Sequence, residues 1–324
     1  MNAPIVSRGL NGLLAAVLAG GLSVAFLVTA LTHAETPMIF LAYFAALPLY
    51  LAGLGAGVLA GLVAPVTATG LLLVLEPVNI TFLYVFAYAV PAIGLSLLAL
   101  RNRVGTDGKV SWFPEGKLLT AITIYPCILF LAAVGLASTH QGGLLDLTQQ
   151  AFVKVGDHFA KQFDDADKID LFRKAMEQAA QIAPALVAYT WILVAIISLA
   201  GAQYVLRQQK WNLRAHFSLQ ALHVPAFLIY AVAATGLMGV FTAAPYDYVG
   251  RNLSMVLGIP FFFVGLAVIH AWAGGTRFAV FFLLVFYVLL TLLPWLALLV
   301  AAIGVLDQWI NFRQRITPYT PPSI

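Results

Sequence analysis

Charge is what this sequence has least of. Only 9% of its 324 residues are Asp, Glu, Lys or Arg, against about 25% in a soluble domain whose surface must face water. That scarcity excludes a water-clothed globule. With 62% hydrophobic residues and a mean hydropathy of +0.94, the solvent for most of the surface must be a bilayer. A single cysteine, Cys127, excludes an intrachain disulfide. There is no basic tract of the kind nucleic acid requires. His-Glu-x-x-His, Gly-x-Ser-x-Gly and phosphate-binding glycine loops are also missing. His33, His223 and His270 are scattered without metal-ligand spacing, and no nucleophile stands beside a base. The chain therefore reads as non-enzymatic, with no metal site, no cofactor and no nucleic-acid partner.

What the sequence does have is a succession of continuous apolar runs. In hydrocarbon every backbone group needs an internal partner, so spans are helices or a closed barrel. The runs do not alternate with period two, which excludes the barrel. The expected fold is all-α: a polytopic membrane helical bundle of about nine or ten segments with an amphipathic extracytoplasmic helical insert. A span needs about 20 apolar residues. The expected spans are 11–31, 38–50, 53–75, 79–100, 118–138, 182–206, 221–243 and 253–273, with breaks at 51–54 and at Glu76-Pro77 where glycine and proline punctuate. Arg8 precedes an apolar run at 13–31 that is longer than the 7–15 residues of a signal peptide, so this run is taken as the first span. The last stretch, 278–306, is interrupted at Pro294. It reads either as one kinked helix or, preferably, as two short helices with the second reaching Phe312. Four regions follow: a five-segment membrane block at 1–138, the insert at 139–181, a second membrane block at 182–315 and a tail at 316–324.

Within the insert, Phe152, Val155, Phe159 and Phe163 recur at helical spacing, and so do Ile169, Phe172, Met176 and Ala179. Asp157, Lys161, Asp164, Asp170, Arg173 and Glu177 occupy the other faces. Two amphipathic helices are expected, broken near Asp164-Asp165, with Asp167 as a cap. Orientation follows from the basic residues, which stay cytoplasmic. Arg101, Arg103, Lys109 and Lys117, then Arg207, Lys210 and Arg214, then Arg277, all fall on one side if the N-terminus is cytoplasmic. Glu35, Glu76 and the insert then lie outside. Trp112, Trp211 and Trp272 stand where interfacial anchors belong.

Two groups of residues are candidates for function. Gly53, Gly57 and Gly61 recur every four residues and are expected to line one helix face, for packing inside the bundle or against a partner. Gly12, Ala16 and Gly20 form a similar stripe. Glu76 is the most costly residue in its apolar surroundings. With Asn79, Tyr84 and Tyr88 it makes a candidate ligand-binding pocket near the outer surface; the alternative is a glutamate resting at the lipid–water boundary. Asp247 and Arg251, four apart, are spaced to pair.

The end of the chain reads Gly304-x-x-Asp307-x-Trp309-x-x-Phe312-Arg313-x-Arg315. With the glycine- and proline-punctuated apolar block near the N-terminus, this resembles the YybS-like family, bacterial multi-pass membrane proteins described as a domain of unknown function. The resemblance covers 12–315, apart from the insert. That family is distantly similar to the substrate-binding subunits of energy-coupling-factor transporters, which typically have six helices, fewer than here. The resemblance implies a bacterial inner-membrane protein, and a small-molecule (vitamin-type) uptake subunit. It implies that Ala15 and Ala19 match an Ala-x-x-x-Ala stripe that docks on a coupling subunit working with ATPases. It places the ligand near the outer face, with Glu76, Asn79 and Tyr84. The alternative function, carried by the small-residue stripes, is a membrane scaffold or assembly protein with no transported ligand.

Overall fold

A computed structural model describes residues 9–34, 37–106, 108–160, 165–215 and 222–315. Glu35, Lys161, Phe163, Asp164, Ala221 and the 316–324 tail, which entered the expectations above, lie outside the described residues. The fold is an all-α polytopic membrane bundle. Its elements, in chain order, are α1 (Gly9–Thr32), a 3₁₀ turn (Pro37–Phe40), α2 (Leu41–Phe44), α3 (Ala46–Ala56), α4 (Val58–Leu75), α5 (Val78–Tyr84), a π segment (Val85–Ala89) and α6 (Val90–Leu100). A two-stranded hairpin follows, β1 (Asn102–Val104) against β2 (Val110–Trp112), antiparallel with Arg103 opposite Ser111. Then come α7 (Glu115–Ala137), α8 (Gly143–Ala160), α9 (Ala166–Gln208), α10 (Phe227–Phe241), α11 (Tyr246–Leu257), α12 (Ile259–Gly274), α13 (Ala279–Leu292), α14 (Leu296–Ile310) and α15 (Phe312–Arg315). Among the described residues, seven helical runs are long and apolar enough to cross a membrane, and α10, α13 and α14 are shorter apolar helices.

The chain divides into two compact units, one of Met1–Ile122 with Trp191–Phe217 and one of Thr123–Thr190 with Ser218–Ile324. The division falls inside α7 and α9.

In the first unit, α1 packs along α4 and α3. Its interfaces are built from alanine and glycine: Ala16, Ala60, Ala64, Ala68, Ala92 and Ala99 are all buried. A Cβ added to Gly20 would stand 2.5 Å from the Ala64 carbonyl oxygen, so only glycine allows that approach. The Gly53–Gly57–Gly61 repeat works differently from the expected single-helix stripe. Gly57 has φ 99° and ψ −178°, a conformation essentially reserved for glycine, and the helix breaks there. Gly53 ends up on α3 and Gly61 on α4, facing one another across the turn, with a Cβ at Gly61 only 3.1 Å from the Gly53 Cα. The break expected at 51–54 is therefore corrected to Gly57. Spacing alone does not reveal a positive φ.

In the second unit, two further crossings bring backbones into contact. Gly239 of α10 meets Arg251 of α11, where an added Cβ would stand 2.8 Å from the Arg251 amide nitrogen. Gly265 of α12 and Gly304 of α14 lie so close that a Cβ at either would overlap the carbonyl of Val300 or Phe261. Beside that crossing Leu266, Ile269 and Val300 form a small core. The last apolar stretch is two helices, interrupted at Leu293–Trp295. The second amphipathic helix of the insert and the span after it are one unbroken 43-residue helix, α9. At 1.5 Å per residue it is about 64 Å long, roughly twice a hydrocarbon core. α8 lies against its start, with Gly156 under Met176 and Arg173 bonding Asp157 at 2.9 Å.

Gly304→Ala is expected to lower stability by about 2 kcal/mol, because the new methyl meets backbone that cannot yield. Gly70, with nothing near its would-be Cβ, should tolerate alanine with no loss. Thermal unfolding of the two variants in lipid nanodiscs reads the difference.

Candidate functional site

The four candidate ligand residues differ in their settings. Glu76 caps α4 in extended conformation and is half-buried; Asn79 is exposed in the first turn of α5. Neither bonds Tyr84 or Tyr88. Those two do come together. Tyr84 is fully buried, and its ring lies 5.4 Å from that of Tyr88, which is half-buried on the π segment. Ser23 of α1 donates its only proton to the Ala45 carbonyl at 2.6 Å, so at 2.7 Å the Tyr84 hydroxyl is the donor to Ser23. This chain of bonds ties α1, the α2–α3 turn and α5 into one polar staple. Thr81, one turn before Tyr84, is buried with its Oγ1 unbonded. In the π segment, Ala87 offers its carbonyl to the indole nitrogen of Trp191 at 2.8 Å.

Ala15 and Ala19 stand apart from this cluster. Gly12, Ala16 and Gly20 face inward and are buried, whereas Ala15 is exposed and Ala19 half-buried. The two alanines edge a groove of about 600 Å³ between α1, α3 and the end of α9. Ala52, Gly55 and Ala56 line its other wall, and Leu206 and Trp211 close its end. A Cβ on Gly55 would stand 2.6 Å from a Leu206 methyl.

Sequence reasoning missed three buried polar centres. Arg214 closes a run of three basic residues that read alike, yet its side chain is only 2% exposed. It donates to the Ala99 carbonyl at 2.9 Å and the Phe113 carbonyl at 2.7 Å, with Glu115 at 3.5 Å. Burial pulls its guanidinium below the usual arginine range, and Glu115 opposes that pull. Asn252 is fully buried. It accepts the Ala185 amide at 3.0 Å and donates to the carbonyls of Gln181 at 3.0 Å and Tyr248 at 2.9 Å. Gln181 and Ala185 are one i,i+4 step of α9, beside Pro184, so a side chain from α11 clasps the helix where proline removes a donor. Asp307 and Arg313, both in the C-terminal motif, pair at 2.8 Å inside the second unit; the left-handed Asn311 turns the chain back to allow it. The spacing signal for Asp247 and Arg251 corresponds to a 3.0 Å pair, and Arg251 reaches Gln181 as well.

A family model described as "Predicted membrane protein (DUF2232)" matches residues 23–308. No curated protein and no solved structure matches the chain.

Arg214→Met should cost about 3 kcal/mol, since it leaves two carbonyls and a carboxylate without their cation. Asn252→Leu should cost about 2 kcal/mol by stranding the α9 groups it serves. Glu76→Gln should leave stability unchanged. Denaturation midpoints of the three purified variants check the ranking.

Proposed function

The chain belongs to this family of predicted membrane proteins, and we propose that it is a membrane scaffold or assembly protein that docks a partner's membrane helix along α1. The observation that carries this reading is the groove edged by Ala15 and Ala19. Lipid tails gain nothing from small residues, whereas a helix backbone approaches closely only where side chains are small. The groove is small-sided at Ala15 and Ala19 on α1 and at Ala56 on α3, while Ala52 and Gly55 beside it are already buried, Gly55 against Leu206. Tyr84, the deepest of the candidate ligand residues, is engaged in holding α1 to α5. On this reading the protein has no enzymatic step and needs no cofactor. It sits in a bacterial inner membrane with its N-terminus cytoplasmic, in keeping with the basic residues gathered at the ends of α6, α7 and α9.

A second reading takes the same groove. Ala15 and Ala19 are the pair that the resemblance to energy-coupling-factor transporters assigns to a coupling subunit. The docked helix would then belong to that subunit, associated with ATPases, and the chain would be a vitamin-type uptake subunit. The Ser23–Tyr84–Tyr88 cluster would be its ligand end.

A photo-crosslinking residue at Asn11, which also lines the groove, is expected to capture a membrane protein in cells. Ala15→Leu with Ala19→Leu should cut the yield at least tenfold, about 1.4 kcal/mol of association, while the thermal midpoint holds. Crosslinks to lipid alone would sink the docking reading. Capture of a coupling subunit, with a metabolite copurifying, selects uptake over scaffold. Gly57→Leu does not discriminate, because its positive φ makes any side chain there a folding defect.

A further inference from the structure

The first unit gathers its cations at one end, and the geometry of that end points to a ligand. The β1–β2 hairpin carries Arg103 and Lys109, flanked by Arg101 at the end of α6 and Lys117 in the first turn of α7; all four are exposed. Arg207 and Lys210, also exposed, close α9. These stretches are 90 or more residues apart in sequence, and Arg214 joins them. Its guanidinium bonds the Ala99 and Phe113 carbonyls, at the base of the hairpin, from the loop that follows α9. Phe113 in turn bonds the Arg101 carbonyl at 2.8 Å, closing the hairpin base. The α9 end is itself fixed. Lys210 is left-handed, its amide bonds Arg207 and the Trp211 amide reaches back to Leu206 at 2.7 Å, a Schellman-type stop.

The result is one platform with six exposed cations, against two acids in the sequence of 101–117 and 207–215, Asp107 and Glu115, of which Glu115 is engaged by Arg214. Trp112 and Trp211 stand within it, Trp211 about half exposed. Indole rings favour the headgroup level of a bilayer, and juxtamembrane cations attract anionic lipid. The platform caps apolar helices, so its cations sit where phosphates of the adjoining leaflet lie.

We propose that this platform binds the phosphate-bearing headgroups of anionic phospholipids, with Arg214 as the positioning residue that holds its two halves together. The platform and the α1 groove share Trp211, but none of the three residues varied below lines the groove, so failure here leaves the docking reading standing, and the reverse.

The test uses the full chain in nanodiscs of phosphatidylcholine, alone or mixed with phosphatidylglycerol, and native mass spectrometry to count lipids retained. Phosphatidylglycerol is expected to be retained over phosphatidylcholine, and the preference should fade as salt screens it. Arg103→Gln, Arg207→Gln and Lys210→Asn, the last keeping a residue that tolerates the left-handed turn, should each lower retention about fivefold, the equivalent of about 1 kcal/mol. Thermal unfolding in phosphatidylcholine alone confirms that these surface variants fold. Equal retention of the two lipids, or undiminished retention across the three variants, overturns the proposal. Displacement of phosphatidylglycerol by millimolar inorganic phosphate also overturns it, since the site would then take a soluble anion.

Discussion

Hydrocarbon offers a backbone no hydrogen-bonding partner, and that constraint shapes both units of this protein. Each helix must satisfy its own ladder. Helices then associate by van der Waals contact and a few bonds, without the hydrophobic drive available in water. Contact energy of that kind falls off within an ångström, so backbones must come close. Glycine supplies the approach at each crossing: Gly20 on Ala64, Gly53 on Gly61, Gly239 on Arg251 and Gly265 against Val300. The alanine-rich core of the first unit extends the same logic at slightly greater separation.

The buried polar residues answer the same constraint from the other side. An unpaired polar group in such a medium is costly, and most of those here are placed where the backbone or a neighbouring helix needs them. Asn252 serves α9 beside Pro184, Trp191 serves a carbonyl of the π segment, and Ser23 links Tyr84 to the turn at Ala45. Arg214 does this at the basic end. A polar residue in an apolar sequence is thus first a candidate staple. Glu76 differs: it stands half-buried at the end of α4, in extended backbone.

How much of this was legible in the sequence depended on the kind of signal. Composition and continuous apolar runs disclose a helical membrane bundle, because the bilayer acts on every residue at once. The interruption at Glu76-Pro77 and that near Pro294 were legible because proline acts locally. Gly57 was misread because a period of four describes a helix only while the helix continues, and a positive φ leaves no mark on spacing. The continuity of α9 was hidden because the change from amphipathic to apolar near Gln181 resembles a boundary, although the backbone does not stop there. The Ser23–Tyr84 bond joins residues 61 apart, and Arg214 differs from Arg207 and Lys210 only in what surrounds it. Neither kind of contact is encoded locally. The Asp247–Arg251 pair is, and spacing found it.

Helix α1 shows how one helix separates internal packing from what remains available outside it. Its small residues fall in two registers offset by a single position. Gly12, Ala16 and Gly20 turn inward, with Gly20 pressed on α4, and any enlargement there meets the protein's own backbone. Ala15 and Ala19, one residue earlier in each turn, lie about 100° around the helix and edge an open groove. Selection for folding alone accounts for the first register. The second is small where a lipid-facing helix tolerates leucine at no cost to the fold, as Leu14 and Leu18 on the same helix illustrate by their exposure of 56% and 73%. Small side chains at the groove's edge, beside leucines at the more open positions of the same helix, are the contrast on which the proposed docking rests.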